Sequence, residues 1–134
     1  MWLKLSTLAL LPVVVLQGLK VRKNTPRLAE ASGDRDGICG QGQPLSLLIL
    51  GDSAAAGVGV KSQQEALSGS ILSCLQDEYQ VRWKLHAKTG DTTQQVIAAT
   101  QLLAPQQYDV VVTSIGVNDV TDRKRTRLNS SHRM

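Results

Sequence analysis

Residues 45–50 make a near-continuous apolar run, Leu45-Ser46-Leu47-Leu48-Ile49-Leu50, closed by Gly51. A run of that length predicts a strand covered on both faces, as in a parallel sheet. Further on, Val81, Trp83, Leu85 and Ala87 alternate with Arg82, Lys84, His86 and Lys88. That period of two predicts a half-exposed strand, placed here at the sheet edge. A third apolar stretch, residues 108–115 with Val110-Val111-Val112, predicts another buried strand. Two helical patterns lie between them. Ser62-Gln63-Gln64-Glu65 reads as a capping box opening a helix with the stripe Leu67, Ile71, Cys74 and Leu75. Asp91 or Thr92 caps a second helix carrying Val96, Ala99, Thr100 and Leu103, stopped by Pro105.

Strand, helix, strand, helix, strand implies right-handed crossovers and a parallel sheet. An edge-like second strand beside a buried first and third gives the order 2-1-3. Ligands in such sheets bind at the carboxyl ends of the strands, where the chain order reverses. Those ends are Gly51-Asp52-Ser53, Thr89-Gly90-Asp91 and Gly116-Val117-Asn118-Asp119.

The N-terminal region follows a different pattern. Fifteen uncharged residues, 5–19, separate Lys4 from Lys20. A helix of that length reaches about 22 Å, against a hydrocarbon core of roughly 30 Å. It inserts if Trp2 and Lys4 at one end, and Lys20 and Arg22 at the other, sit at the interface. A cleaved secretory signal is the rival, but its only small-residue site, Ala29-Glu30-Ala31, lies beyond four basic residues and Pro26. A buried core helix is a third reading. The expectation is an uncleaved membrane anchor over residues 1–28, a membrane-associated body on the side of the basic flank, and a glycine-rich linker over 29–44.

Charge sharpens the division. Residues 1–30 carry five basic groups and one acid, 31–121 five and nine, and 122–134 five and one. The acidic middle excludes a nucleic-acid surface on the body, which would need a basic stripe. Cys39 and Cys74 form no metal-binding spacing.

The loop after the first strand resembles a nucleotide loop in position only. A P-loop needs glycine before Lys61-Ser62, where Val60 stands, and a dinucleotide fingerprint needs glycine where Ser62 stands. The Gly-x-Ser-x-Gly elbow fails at Ala55. What remains is a hydroxyl, two glycines and a carboxamide at one sheet edge, a candidate acyl-transfer site. Ser53 lies near the start of a helix, whose N–H groups and field favour an anion. The Ser53 N–H, Gly90 N–H and Asn118 amide are three donors for a tetrahedral oxyanion.

Gly51-Asp52-Ser53, Gly90 and Gly116-x-Asn118-Asp119, in this order and each after a strand, resemble the first three sequence blocks of the SGNH/GDSL esterase and lipase family over about residues 44–121. The resemblance implies a three-layer α/β/α fold with a flavodoxin-like parallel sheet, and Ser53 as nucleophile. It implies an oxyanion hole from the Ser53 backbone, Gly90 and Asn118, and hydrolysis of a lipid or acetylated-sugar ester without cofactor. The family's Asp-x-x-His, which supplies base and orienter, is absent. His86 lies among Arg82, Lys84 and Lys88, and His132 follows Asn129-Ser130-Ser131. Residues 122–134, basic and without apolar periodicity, look like translated sequencing adapter. The expectation is therefore a partial hydrolase domain over 45–121, with the later strands and helices missing and activity lost, followed by a foreign tail. A solvated basic tail that binds acidic partners or membrane is the alternative there. For the body, the competing class is a non-enzymatic α/β module holding a small anion or ester at the same loops.

Overall fold

The computed structural model of the chain describes residues 2–121. The tail 122–134, His132 included, lies outside the described residues, as does any test of its origin. The elements in chain order are α1 (Trp2–Asn24), β1 (Asp36–Cys39), β2 (Gln43–Gly51), α2 (Ser53–Ala56), a 3-10 turn (Gln63–Glu65), α3 (Leu67–Leu75), β3 (Tyr79–Ala87), α4 (Thr93–Gln101), β4 (Val110–Ser114) and α5 (Val117–Thr121).

The four strands form one sheet in the order β1-β3-β2-β4. β2 pairs in parallel with β3 and with β4. The three parallel strands therefore stand in the expected order, second, first, third. β2 is central because its side chains are apolar on both faces. Leu47 and Ile49 point to one face, where they pack with Val81, Trp83 and Leu85 against α2 and with the α3 residues Leu67, Ile71 and Leu75. Leu48 and Leu50 point to the other and pack with Val96 of α4. Helices on both faces of a sheet give three layers, so the architecture is α/β/α.

Several expectations need correction. The segment 29–44 is not a free linker. It contains β1, which runs antiparallel along β3, so β3 is not an edge and the sheet is mixed. β4 was expected to be buried, yet Val110 and Val111 are exposed. It pairs on one side only, with β2, and among the described residues no strand lies on its other side. Asp109 fixes the start of that strand, because its carboxylate accepts from the Ser46 N–H at 2.7 Å. The capping box at 62–65 does not open a helix. Ser62 precedes only the 3-10 turn and its hydroxyl caps nothing. Glu65 reaches back to the Lys61 N–H at 3.3 Å, and α3 begins later, at Leu67. At α4 the sequence reading holds, with Thr92 and Gln95 forming a reciprocal capping box.

At the N-terminus, the apolar stretch is helical as α1, with Leu10, Val14, Leu16 and Leu19 exposed. No helix among the described residues is long and apolar enough to cross a membrane.

Candidate functional site

Gly51 is the last residue of β2 and pairs with Ala87 on one side and Ser114 on the other. All three parallel strands therefore end at one level, and their following loops share one sheet edge. Two backbone bonds fasten them there: the Lys88 N–H donates to the Gly51 carbonyl at 3.3 Å, and the Asp52 N–H to the Ser114 carbonyl at 3.1 Å.

Ser53 opens α2, a single turn of four residues. A helix this short has almost no macrodipole, so the field expected at Ser53 shrinks to the local N–H groups. The turn is held from three directions. Asp52, buried, caps it by accepting from the Ala54 N–H at 3.1 Å. Gly57 ends it in the left-handed region at φ 77°, where a Cβ would stand 2.7 Å from the methyls of Ala31 and Ala66. Only glycine takes that turn without strain or overlap. Beneath it lies Gln63, buried, whose amide nitrogen donates to the carbonyls of Ala56 at 3.1 Å and Ala31 at 3.2 Å. Its oxygen accepts from the Ser68 hydroxyl at 2.8 Å. This buried polar group is fully used, so it fixes the floor of the Ser53 turn rather than weakening it.

Gly90 has φ +87°, and a Cβ built there meets nothing within 4 Å. The backbone conformation demands glycine while the space in front of it is open. Asn118 lies in α5, and its amide nitrogen donates to the Asp91 carbonyl at 2.9 Å and to the Asp52 carboxylate at 3.5 Å. The third loop is thus tied directly to the neighbours of both Gly90 and Ser53. Asp119 fastens the same loop to α4 by accepting from the Thr93 N–H at 3.1 Å and from the Thr93 hydroxyl.

Of the two histidines, His86 stands in β3 opposite Leu50. It is half-buried. Cys39 and Cys74 are free thiols, and burial raises the Cys39 thiol pKa. Among the described residues no group of three or more His, Cys, Asp or Glu gathers to hold a metal.

Sequence reasoning missed two residues of this edge, Glu30 and Arg35, both in the segment read as linker. Glu30 accepts from the Thr89 N–H and from the Thr89 hydroxyl, each at 2.7 Å. Its other oxygen takes a 2.6 Å bond from Arg35, whose second nitrogen donates to the Ala87 carbonyl at 2.6 Å. The Thr89 hydroxyl and then its N–H hold the Glu30 carboxyl below the usual glutamate range against an opposing desolvation, with lesser help from the hydrogen bond and charge of the Arg35 guanidinium. No local pattern signals this contact, since Glu30 and Thr89 are 59 positions apart.

Compared with known proteins, no curated sequence matches the chain. A model of the GDSL-like Lipase/Acylhydrolase family matches residues 49–131, which takes in Ser53, Gly90 and Asn118. With that match over more than half its length, and with an α/β/α fold that brings the three motif-bearing loops to one sheet edge, the chain belongs to the GDSL-like lipase/acylhydrolase family.

Proposed function

We propose that the protein is a serine-dependent carboxylic-ester hydrolase of this family, with Ser53 as nucleophile and a lipid or acetylated-sugar ester as substrate. The Ser53 N–H, the Gly90 N–H and the Asn118 carboxamide are its oxyanion donors. The observation that carries the reading is the placement of Asn118, bonded at once to Asp91 and to Asp52. A carboxamide so held is already oriented, and preorganised donors are what stabilise a developing oxyanion. These two bonds are unequal. The 2.9 Å bond to the Asp91 carbonyl keeps the amide in place, while the 3.5 Å bond to Asp52 lies at the limit of hydrogen bonding. Open space in front of Gly90 supports the same role, because the acyl oxygen needs an unobstructed backbone amide.

A serine hydroxyl also needs a base to take its proton as it attacks, and the sequence holds no Asp-x-x-His. We propose that the 134-residue chain is therefore nearly inactive and gains turnover when a C-terminal segment carrying that pair is supplied. The test is hydrolysis of short-chain nitrophenyl esters by the extended chain, with and without Ser53→Ala. Loss of turnover in the variant is expected; unchanged turnover refutes the assignment. The membrane-associated location belongs to the same proposal, supported by the exposed apolar side chains of α1.

A further inference from the structure

The segment between α1 and β1 touches both halves of the Ser53 edge. At one end the Gly59 N–H donates to the Ala29 carbonyl and the Ala31 N–H to the Ala56 carbonyl, so residues 29–31 lie along the Ser53 turn and its loop. At the other end Arg35 is fastened to β3 twice, because its carbonyl accepts from the Leu85 N–H at 2.6 Å and its guanidinium donates to Ala87. Glu30 stands between these anchorages. It sends one carboxylate oxygen to Thr89, the residue before Gly90, and the other to Arg35.

We propose that Glu30, oriented by Arg35, is a positioning residue that fixes the Thr89-Gly90 backbone relative to Ser53. The proposal rests on the hydrolase reading for its purpose, since the Gly90 N–H matters as an oxyanion donor. A glycine at positive φ with open space around it has little of its own to hold it. The nearest restraints are the Asp91 N–H to the Lys88 carbonyl at 3.2 Å, the Asn118 amide to the Asp91 carbonyl at 2.9 Å and the two bonds from Thr89 to Glu30. Hydrogen bonds to an ionised acceptor are about twice as strong as neutral ones, so the carboxylate dominates that set. Because residues 29–31 also bond to the Ser53 turn, one short strap sets the spacing between nucleophile and donor.

The experiment uses the whole 134-residue chain, ¹⁵N-labelled, and follows amide exchange and chemical shift alongside binding of ethylboronic acid, a tetrahedral oxyanion mimic that adds to a serine hydroxyl. In Glu30→Ala, exchange at the Thr89 amide, which Glu30 accepts from, is expected to rise about tenfold or more, the loss of one to two charge-assisted bonds, and the Gly90 amide shift to move with it, while the β2 amides Leu47–Leu50 stay protected. Thr89→Val removes only the hydroxyl bond at an exposed position and gives a smaller change at the same two amides. Glu30→Gln, which keeps an acceptor, recovers part of the loss. Boronate affinity falls in the same order. Unchanged Thr89 and Gly90 amides in both Glu30→Ala and Thr89→Val overturn the proposal, and so does an equal rise across β2, which would make Glu30 a general support of the fold. If boronate perturbs none of Ser53, Gly90 and Asn118 in the unmodified chain, the hydrolase reading fails, while the exchange data still decide whether Glu30 holds the loop.

Discussion

Replacing Gly51 by alanine tests how tightly the Ser53 turn is seated on the sheet. The backbone at Gly51 is ordinary extended strand, so the substitution carries no conformational penalty of its own. The added Cβ would overlap the Ala55 methyl and stand 2.7 Å from the Ser114 carbonyl oxygen. Neither neighbour yields easily. Ala55 is fully buried in the core, and the Ser114 carbonyl is already engaged by the Asp52 N–H. Overpacking of a close-packed site costs about 1–3 kcal/mol, and weakening the Asp52 bond adds roughly 0.5–1.5 kcal/mol. A destabilisation of about 2–4 kcal/mol follows, which lowers the urea midpoint by around 2 M for a chain of this size. Urea unfolding by circular dichroism measures it. The double variant Gly51→Ala/Ala55→Gly removes the methyl overlap and leaves the Ser114 contact, so a double-mutant cycle should return a favourable coupling of about 1 kcal/mol. A midpoint within about 0.3 M of the parent for Gly51→Ala would show that α2 is free to shift, and the geometry argued for Ser53 would lose its foundation.

Gly90→Ala meets no neighbour, so its stability cost is limited to left-handed strain of about 1–2 kcal/mol. Boronate affinity in the 134-residue chain, and ester turnover in the extended one, should fall by more than that strain accounts for; equal losses would remove Gly90 from the site. The Glu30 carboxyl is held below the usual glutamate range, so its bonds stabilise the folded loop above that range and are lost as pH falls through the lowered folded value. Thr89 and Gly90 amide shifts should hold from neutral pH to below the usual glutamate titration, then move together, and Glu30→Gln should abolish the step; a step centred at or above the usual range contradicts the assignment. At the N-terminus, the chain should float with phosphatidylcholine vesicles, and Val14→Asp, at an exposed position of α1, should reduce flotation severalfold. Equal flotation of both would sever α1 from membrane attachment.

What could be read from the sequence, and what could not, divides by the range of the interaction. β2 and β3 were legible because burial on two faces or one imposes a period on neighbouring residues, and the order of the parallel strands followed from that difference. A cap at Asp91 or Thr92 was legible for the same reason, since a cap is a contact across three positions, and the structure assigns it to Thr92. The box at 62–65 carried the same local signal and failed because Gln63 is drawn under the Ser53 turn, where the carbonyls of Ala31 and Ala56 use its amide. A tertiary demand for a buried donor outweighed a local preference worth about 1 kcal/mol. β1 left no trace, with Gly37 and Gly40 around two apolar residues, because its pairing depends on the free edge of β3 rather than on a pattern of its own. The Ser53, Gly90 and Asn118 loops were legible as three strand ends, which topology brings to one edge whatever the loops contain.

That same division explains why Glu30 and Arg35 stayed hidden. Both lie among glycines and polar residues without periodicity, and both act on Thr89 and Ala87 across more than fifty positions. Their proposed effect is directed at the one proposed site residue that local structure holds least, since Gly90 has neither a side chain to pack nor a neighbour within contact distance of a Cβ. A glycine needed for close approach by an acyl oxygen is, by that same need, poorly held by packing, and its placement must come from hydrogen bonds to the residues on either side. Asp91 is bonded through its carbonyl to Asn118 and Thr89 through its amide and hydroxyl to Glu30. Gly90 is therefore clamped from both flanks, once by another proposed oxyanion donor and once by the strap that also touches the Ser53 turn. Loosening either flank should displace the amide without unfolding the sheet, which is why the Gly90 amide shift, with exchange at Thr89, reports on the site more directly than the melting temperature does.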